Sequence, residues 1–291
     1  MEPRHPSCVV CHNAVWRACN AEAAIIRARP GFMVVQCTQC GLRRLDPLPS
    51  QQELKKFYAD DSLKHEYIRQ GSTAYVAGGE RAEPFILDRL KAIAAACRCT
   101  GRILDVGAAQ GSFLHAAKQL GWEPLGLELS PEGVQWAKDH YDVELRSQTL
   151  LEALLPAASF DAVHLSHVLE HLPDPVETLA ELRRILKPGG VIAIEVPNEF
   201  DDLFQLFRTR VLRRQPAPYA VPSPHVYFYT PETLRRLVVQ NGFDAFHIET
   251  PRRDISFVSQ IPLGGTVRGL LFWFERVTKT GPNIEVYATV R

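Results

Sequence analysis

The chain has no excess of charge of either sign. Its 33 lysines and arginines match 33 aspartates and glutamates over 291 residues, so the formal net charge is zero. A protein built mainly to grip nucleic acid carries a basic surplus that neutralises phosphates, so no nucleic-acid partner is expected. Also missing is any apolar run near the roughly 20 residues that span a bilayer. The opening Met1-Glu-Pro-Arg-His-Pro-Ser7 has no apolar core of the kind a secretory leader needs. The expectation is a cytoplasmic protein without a membrane span. The most apolar late stretch, Gly269-Leu-Leu-Phe-Trp-Phe274, is short and runs into Glu275-Arg276. It reads as part of a buried amphipathic helix in preference to a surface for lipid or a greasy substrate. No internal repeat or low-complexity tract is present. With 46% apolar and 23% charged residues, the chain is an ordinary globular sequence, long enough for one large domain and a small module.

Cysteine is patterned. Of seven, four form two Cys-x-x-Cys pairs, Cys8 with Cys11 and Cys37 with Cys40. Thiolates at that spacing suit tetrahedral zinc in a reducing compartment better than a disulfide framework. Four thiolates fill the coordination shell, so the zinc would be structural. The run from Gly31 to Cys37 predicts a strand leading into the second knuckle, which Gly41 closes. Residues 1–49 thus read as a zinc-ribbon module, ended by Pro47, Pro49 and Ser50. Cys19, Cys97 and Cys99 fall outside the pattern.

Residues 50–100 read as a helical linker and lid. Ser50 and Glu53 form a capping-box pattern, the polar stretch 60–79 is a candidate lid, and a helix is predicted over about 83–96. From Gly101 to the end, strands and helices alternate, which implies a largely parallel sheet covered on both faces. Strands are predicted at 102–106, 123–128, 142–146, 160–165, 190–196, 243–249 and 284–290. Helices are predicted at 111–120, 131–139, 175–186 and 231–241, the third ended by Lys187-Pro-Gly-Gly190.

The most informative run is Ile103-Leu-Asp-Val-Gly-Ala-Ala-Gln-Gly-Ser-Phe-Leu114. An apolar strand ends at an acid, Asp105, and a glycine turn leads into a helix. Such a turn alone fits many nucleotide-like ligands. Here the order is Asp105-x-Gly107-x-Ala109-x-Gly111, which differs from the Gly-x-Gly-x-x-Gly of dinucleotide folds. The next strand ends at Glu128, where a carboxylate can take both hydroxyls of a ribose. Then come Phe160-Asp-Ala-Val-His-Leu-Ser-His-Val-Leu-Glu-His171 and the Lys187–Gly190 turn. In this order the motifs resemble those of the class I S-adenosylmethionine-dependent methyltransferases, in the bacterial branch acting on small molecules, over about 190 residues from Gly101 onward. Cys37-Thr-Gln-Cys-Gly-Leu-Arg-Arg-Leu-Asp-Pro47 likewise resembles the N-terminal zinc module of some of those enzymes, including sugar-modifying ones.

The resemblance implies an α/β, Rossmann-like sheet of seven strands, the last antiparallel, with S-adenosylmethionine over the carboxyl ends of the first strands. Asp105 would serve the methionine amino group, Gly107 and Gly111 would shape the turn, and Glu128 would hold the ribose. Ser166 and His167 would lie beside the methionine. Two departures stand out: Ala109 replaces a glycine, and Ser147-Gln-Thr-Leu150 replaces the segment that often carries an adenine-side Asp, leaving Gln148 or Thr149 for that contact.

The sulfonium is already activated, so the protein mainly positions the acceptor and excludes water. A base is needed when the acceptor holds its proton tightly, as a hydroxyl does. His171 and His225 are the candidate bases, with Tyr227 or Tyr229 shaping the pocket. A structural hydrogen-bonding role for each histidine stays open. His167-Val-Leu-Glu-His171 also spells an inverted zinc-peptidase motif, but Pro173 and Pro175 cut short the helix such a site requires. Some quinone-forming O-methyltransferases have a Glu-x-x-Glu-His run that holds a divalent ion, and here His167 replaces the first acid. Arg208, Arg210, Arg213 and Arg214 could bind an anionic acceptor or form a solvated face. The leading expectation is methylation of a small molecule, anionic or sugar-linked, at oxygen or at carbon on a sugar. The alternatives are an RNA or protein methyltransferase that captures substrate through the ribbon, or a non-catalytic partner subunit.

Overall fold

The computed structural model describes residues 7–19, 32–50, 53–54, 84–201, 225–251 and 265–291. Three short strands come first: β1 (Trp16–Ala18), β2 (Met33–Cys37) and β3 (Arg43–Asp46). Helix α1 (Pro84–Cys97) leads into β4 (Arg102–Val106), α2 (Ser112–Gln119), β5 (Glu123–Leu127), α3 (Pro131–Tyr141) and β6 (Leu145–Arg146). Then follow β7 (Phe160–Ser166), a single 3₁₀ turn (Leu169–His171), α4 (Pro175–Ile185) and β8 (Leu186–Pro197). The last elements are β9 (Tyr227–Phe228), α5 (Pro231–Gln240), β10 (Phe243–Glu249), α6 (Gly265–Thr278) and β11 (Asn283–Val290).

Runs such as Val191–Val196 are buried at every position, as parallel strands covered on both faces must be. The main sheet has the order β10-β11-β8-β7-β4-β5-β6. Strands β4 to β8 pair in parallel, and β11 runs antiparallel to both β8 and β10. This is the expected seven-stranded arrangement. One face packs Ile103, Ala162, Ala193 and Tyr287 beneath α1, α2 and α3, and the other packs Val163, Ile192, Ile194 and Val286 beneath α4 and α5. Helices α3, α4 and α5 each open with a side-chain cap, Ser130, Asp174 or Thr230, followed by proline. Each cap contributes about 1 kcal/mol and pins the helix start.

Two strand boundaries differ from expectation. Residues 142–146 yield only the two-residue β6, the sheet edge, where Asp142, Glu144 and Arg146 face solvent. Strand β8 begins at Leu186, opposite Phe160, and the Lys187–Gly190 segment bulges out before pairing resumes at Val191. Lys187 is held there by Asp161 at 2.8 Å.

The expected burial of the apolar face of α6 is corrected. Leu270, Trp273, Phe274 and Val277 are exposed, Trp273 by 63%, whereas Glu275 is buried. Glu275 lies against Thr250 and Thr280, accepting from both through its backbone carbonyl, so this helix turns a polar position inward. No helix among the described residues is long and apolar enough to cross a membrane. The Ser50–Glu53 capping box is present. The candidate lid at 60–79 and the four arginines at 208–214 lie outside the described residues.

The ribbon strands form a second sheet, β1-β2-β3-β9, whose last strand comes from the main domain. Leu45 donates its backbone N–H to Val226, and Val226 donates to Glu170, at 2.9 and 2.7 Å. Cys8, Val9, Val10 and Leu42 belong to the same buried cluster as Leu169, Tyr227 and Tyr229.

Candidate active site

The glycine turn follows β4 at the carboxyl edge of the sheet. Gly107 and Gly111 adopt φ of 75° and 80°, and a Cβ on Gly107 would lie 2.5 Å from the Val168 side chain. Both positions therefore require glycine. Ala109 is also left-handed, at φ 49°. Its N–H donates to Glu128 Oε2 at 2.8 Å, and the Ser130 N–H donates to Glu128 Oε1 at 2.8 Å. The turn and the carboxylate after β5 are thus locked together, with Glu128 presented at the sheet edge. Burial raises its pKa, against the pull of those N–H groups.

Asp105 is only 3% exposed, and its Oδ1 accepts from His164 Nδ1 at 2.7 Å. Ser166 donates to Glu195 Oε2 at 2.7 Å. His167, at φ 55°, closes β7 and lies 3.4 Å from Glu170. Thr149 caps a turn: its hydroxyl donates to Glu152 at 2.8 Å and accepts from the Glu152 N–H. That hydroxyl is committed to the turn beside the expected adenine position.

Beyond β7, His171 and His225 come together with ring centroids 4.6 Å apart and planes at 71°. Between them lies Glu170, fully buried, with neither carboxylate oxygen hydrogen-bonded among the described residues. Its Oε1 is 3.7 Å from His171 Nε2 and 3.9 Å from His225 Nε2. Burial opposes the charge on Glu170, but the surrounding histidines, His171 foremost, hold its pKa below the usual carboxylate range. His225 Nδ1 meets Glu199 Oε1 at 2.8 Å. Burial works against an imidazolium there, yet Glu199 and Glu170 outweigh it and raise the His225 pKa. Donor atoms of Glu170, His171 and His225 lie within 4.8 Å of one another, so the trio could act as a base cluster or hold a cation. Tyr227 and Tyr229, expected to shape the pocket, are instead buried against the ribbon, at 1% and 2% exposure.

A cleft of about 390 Å³ lies further along the carboxyl edge, lined by residues that include Asp201, Thr230, Glu232, Arg235 and Lys279. It offers two cations and two acids to whatever lies above.

The four ribbon cysteines converge, with Cys8 and Cys40 sulfurs 3.5 Å apart and Cys11 and Cys37 sulfurs 3.4 Å apart. Tetrahedral zinc with bonds of about 2.3 Å separates its sulfurs by roughly 3.8 Å, so the set fits zinc. Burial, opposed by the Val10 and Cys11 N–H groups, pushes Cys8 up to about 11. Cys37 is drawn down to about 6 despite burial, because the Cys40 and Gln39 N–H groups point at its sulfur.

Sequence reasoning missed Arg89, Glu285 and Glu199, and treated His164 and Glu195 only as parts of motifs. For His164, Glu195 and Glu285 the available signal was a single charged or imidazole position within an otherwise apolar strand, since a buried charge demands a partner; Arg89 on α1 and Glu199 beyond β8 carried no such signal.

A sequence profile described as a methyltransferase domain matches residues 79–248. The chain belongs to the methyltransferase-domain family. Its sequence is 34% identical over 125 residues to a ubiquinone biosynthesis O-methyltransferase of Xanthomonas campestris, covering 40% of this chain and 52% of that protein. The chain therefore spans about half the length of the curated relatives it matches. In fold it is similar to a SAM-dependent methyltransferase from Archaeoglobus fulgidus, with a TM-score of 0.54, 21% identity and coverage of 79% and 100% of the two chains. It is also similar to the 1,6-didemethyltoxoflavin-N1-methyltransferase of Burkholderia thailandensis, solved with its substrate and S-adenosylhomocysteine: TM-score 0.56, 16% identity, covering 88% and 96%. These likenesses establish a class I, Rossmann-like methyltransferase fold.

Proposed function

We propose that the protein transfers a methyl group from S-adenosylmethionine to a hydroxyl of a small molecule, anionic or sugar-linked. Asp105 receives the methionine ammonium, Gly107 and Gly111 let the donor approach the backbone, and Glu128 takes the ribose hydroxyls. Ser166 and His167 border the methionine, and Thr149 or Gln148 meets the adenine. Residues 101–291 carry this chemistry, residues 1–49 hold a structural zinc through Cys8, Cys11, Cys37 and Cys40, and residues 50–100 link the two.

The observation that carries the oxygen assignment is the cluster of the buried Glu170 with the half-buried His171 and His225 beyond the carboxyl end of β7. A hydroxyl needs its proton removed as the methyl arrives. Glu199 orients His225 through Nδ1, and Nε2 is the nitrogen that takes the proton in this reading, with His171 beside it and the Glu170 charge stabilising the imidazolium. The name of the Xanthomonas relative supports methylation at oxygen.

A second reading has a specific observation in its favour. A fully buried carboxylate with no hydrogen-bond donor among the described residues is a costly group unless a cation compensates it, so Glu170, His171 and His225 could instead hold a divalent ion that acidifies the acceptor hydroxyl. Chelation separates the two. Turnover unchanged after dialysis against EDTA, but reduced at least about 100-fold in His171→Ala/His225→Ala, supports the base reading. Turnover lost with EDTA and restored by a divalent ion supports the metal reading. Full turnover in the double variant contradicts both.

A further inference from the structure

Beneath the glycine turn, four adjacent strands each contribute a polar residue to the face covered by α1. Asp105 of β4 stands opposite His164 of β7, and Glu195 of β8 stands opposite Glu285 of β11. All four are buried, as is Arg89 of α1 at 3% exposure. The Arg89 guanidinium bonds to three of them. Nε donates to Glu285 at 2.6 Å, Nη2 to Glu195 at 2.6 Å, and Nη1 meets His164 Nε2 at 2.9 Å.

The last contact fixes a proton. A guanidinium only donates and does not lose its proton in proteins, so His164 Nε2 must accept. A neutral imidazole carries one N–H, which then belongs on Nδ1, and that N–H donates to Asp105 Oδ1 at 2.7 Å. A second proton on Nε2 would point at the guanidinium. Phe113 stacks on the ring at 3.8 Å and holds its plane. The contacts therefore call for the Nδ1–H tautomer of His164, whose N–H holds Asp105 by one oxygen. The same guanidinium fixes Glu195, which holds the Ser166 hydroxyl.

We propose that Arg89 is a positioning residue for the methyl donor: by donating to His164 Nε2 it fixes the Nδ1–H tautomer, which aims Asp105 at the donor ammonium. This rests on the reading of Asp105 as the ammonium acceptor. Without Arg89, His164 Nε2 is free to take a proton. The imidazolium then neutralises Asp105 and competes with the donor for it, and the competition relaxes as pH rises through the imidazole pKa. The groups facing His164 are Asp105 from β4, Arg89 from α1 and the Phe113 ring from α2; Glu195 and Glu285 act on it through Arg89.

The test measures the affinity of intact protein for S-adenosylhomocysteine by calorimetry between pH 6 and 8.5. The variant is Arg89→Leu/Glu285→Gln, which leaves the buried charge sum unchanged. The variant is expected to lose about tenfold more affinity than the wild type between pH 8 and pH 6. A variant weakened by one constant factor at every pH shows a merely structural Arg89 and overturns the proposal. Asp105→Asn separates the two levels. Unchanged affinity there removes the ammonium reading and this inference with it, whereas weak binding there with a pH-flat Arg89 variant removes the inference alone. Nitrogen NMR of wild-type protein gives a readout independent of variant folding. A His164 proton on Nδ1 supports the proposal, and a proton on Nε2 overturns it.

Discussion

Glu128 has each carboxylate oxygen held by a backbone N–H, from Ala109 and Ser130, which aims it without a flexible partner. Truncation to alanine removes two charge-assisted contacts to ribose hydroxyls at about 1.5–3 kcal/mol each. Glu128→Ala is therefore expected to bind S-adenosylhomocysteine at least about 100-fold more weakly, and unchanged affinity in calorimetry would contradict the ribose assignment. His225 makes a pH prediction. Glu199 and Glu170 raise its pKa against the effect of burial, so more of it is protonated near neutral pH than of a free histidine. As a base it must be neutral, so the rate should climb as pH rises above about 6.5 and level off beyond the raised pKa. Stability runs the other way. The His225–Glu199 pairing contributes fully below about pH 6.5 and is lost as pH rises through the raised value. A pH–rate profile whose rising limb persists in His225→Ala would assign the base elsewhere.

Strand β9 carries the main prediction for the elements. It completes the ribbon sheet through Arg43–Phe228 and Arg44–Tyr227 pairs, and His225 lies two residues before it. The backbone bonds Leu45 to Val226 and Val226 to Glu170 run from the ribbon to the proposed base cluster. Losing zinc should thus disturb the site as well as the module. Wild-type protein is expected to contain about one zinc, and Cys37→Ser to lose it. That variant should also lose turnover while keeping most of its S-adenosylhomocysteine affinity, because the donor residues hang on β4 and β5. Elemental analysis with binding and rate assays checks this; full turnover without zinc would uncouple ribbon and site. The cysteine spacing made the ribbon legible, but β9 was not, since a two-residue strand within Val226-Tyr-Phe-Tyr229 has no period of its own to read. The same limit hid the direction of α6, where Leu270, Trp273 and Phe274 point outward while Glu275 turns in. An apolar run states an amount of apolar surface, and tertiary packing decides which side is covered.

Across the whole molecule, the parallel sheet and the donor end of the site were readable because each strand–turn–helix unit is local. Asp105, the Gly107–Gly111 turn and Glu128 lie within 24 residues of chain and come together through adjacent strands. The acceptor end is non-local. Glu170 follows β7 while Glu199 and His225 lie at the two ends of the connection from β8 to β9, and Arg89 reaches Glu285 across 196 residues of sequence, which no pattern within a window can show. Removing Arg89 alone would leave Glu195 and Glu285 buried without it, at a cost of about 3–5 kcal/mol, a large share of a typical domain's stability. The central claim concerns what receives the methyl group. Purified protein supplied with methyl-labelled S-adenosylmethionine and a fractionated cell extract tests it most directly. Label entering the small-molecule fraction as a methyl ether is the predicted result, and label confined to RNA or protein would contradict it.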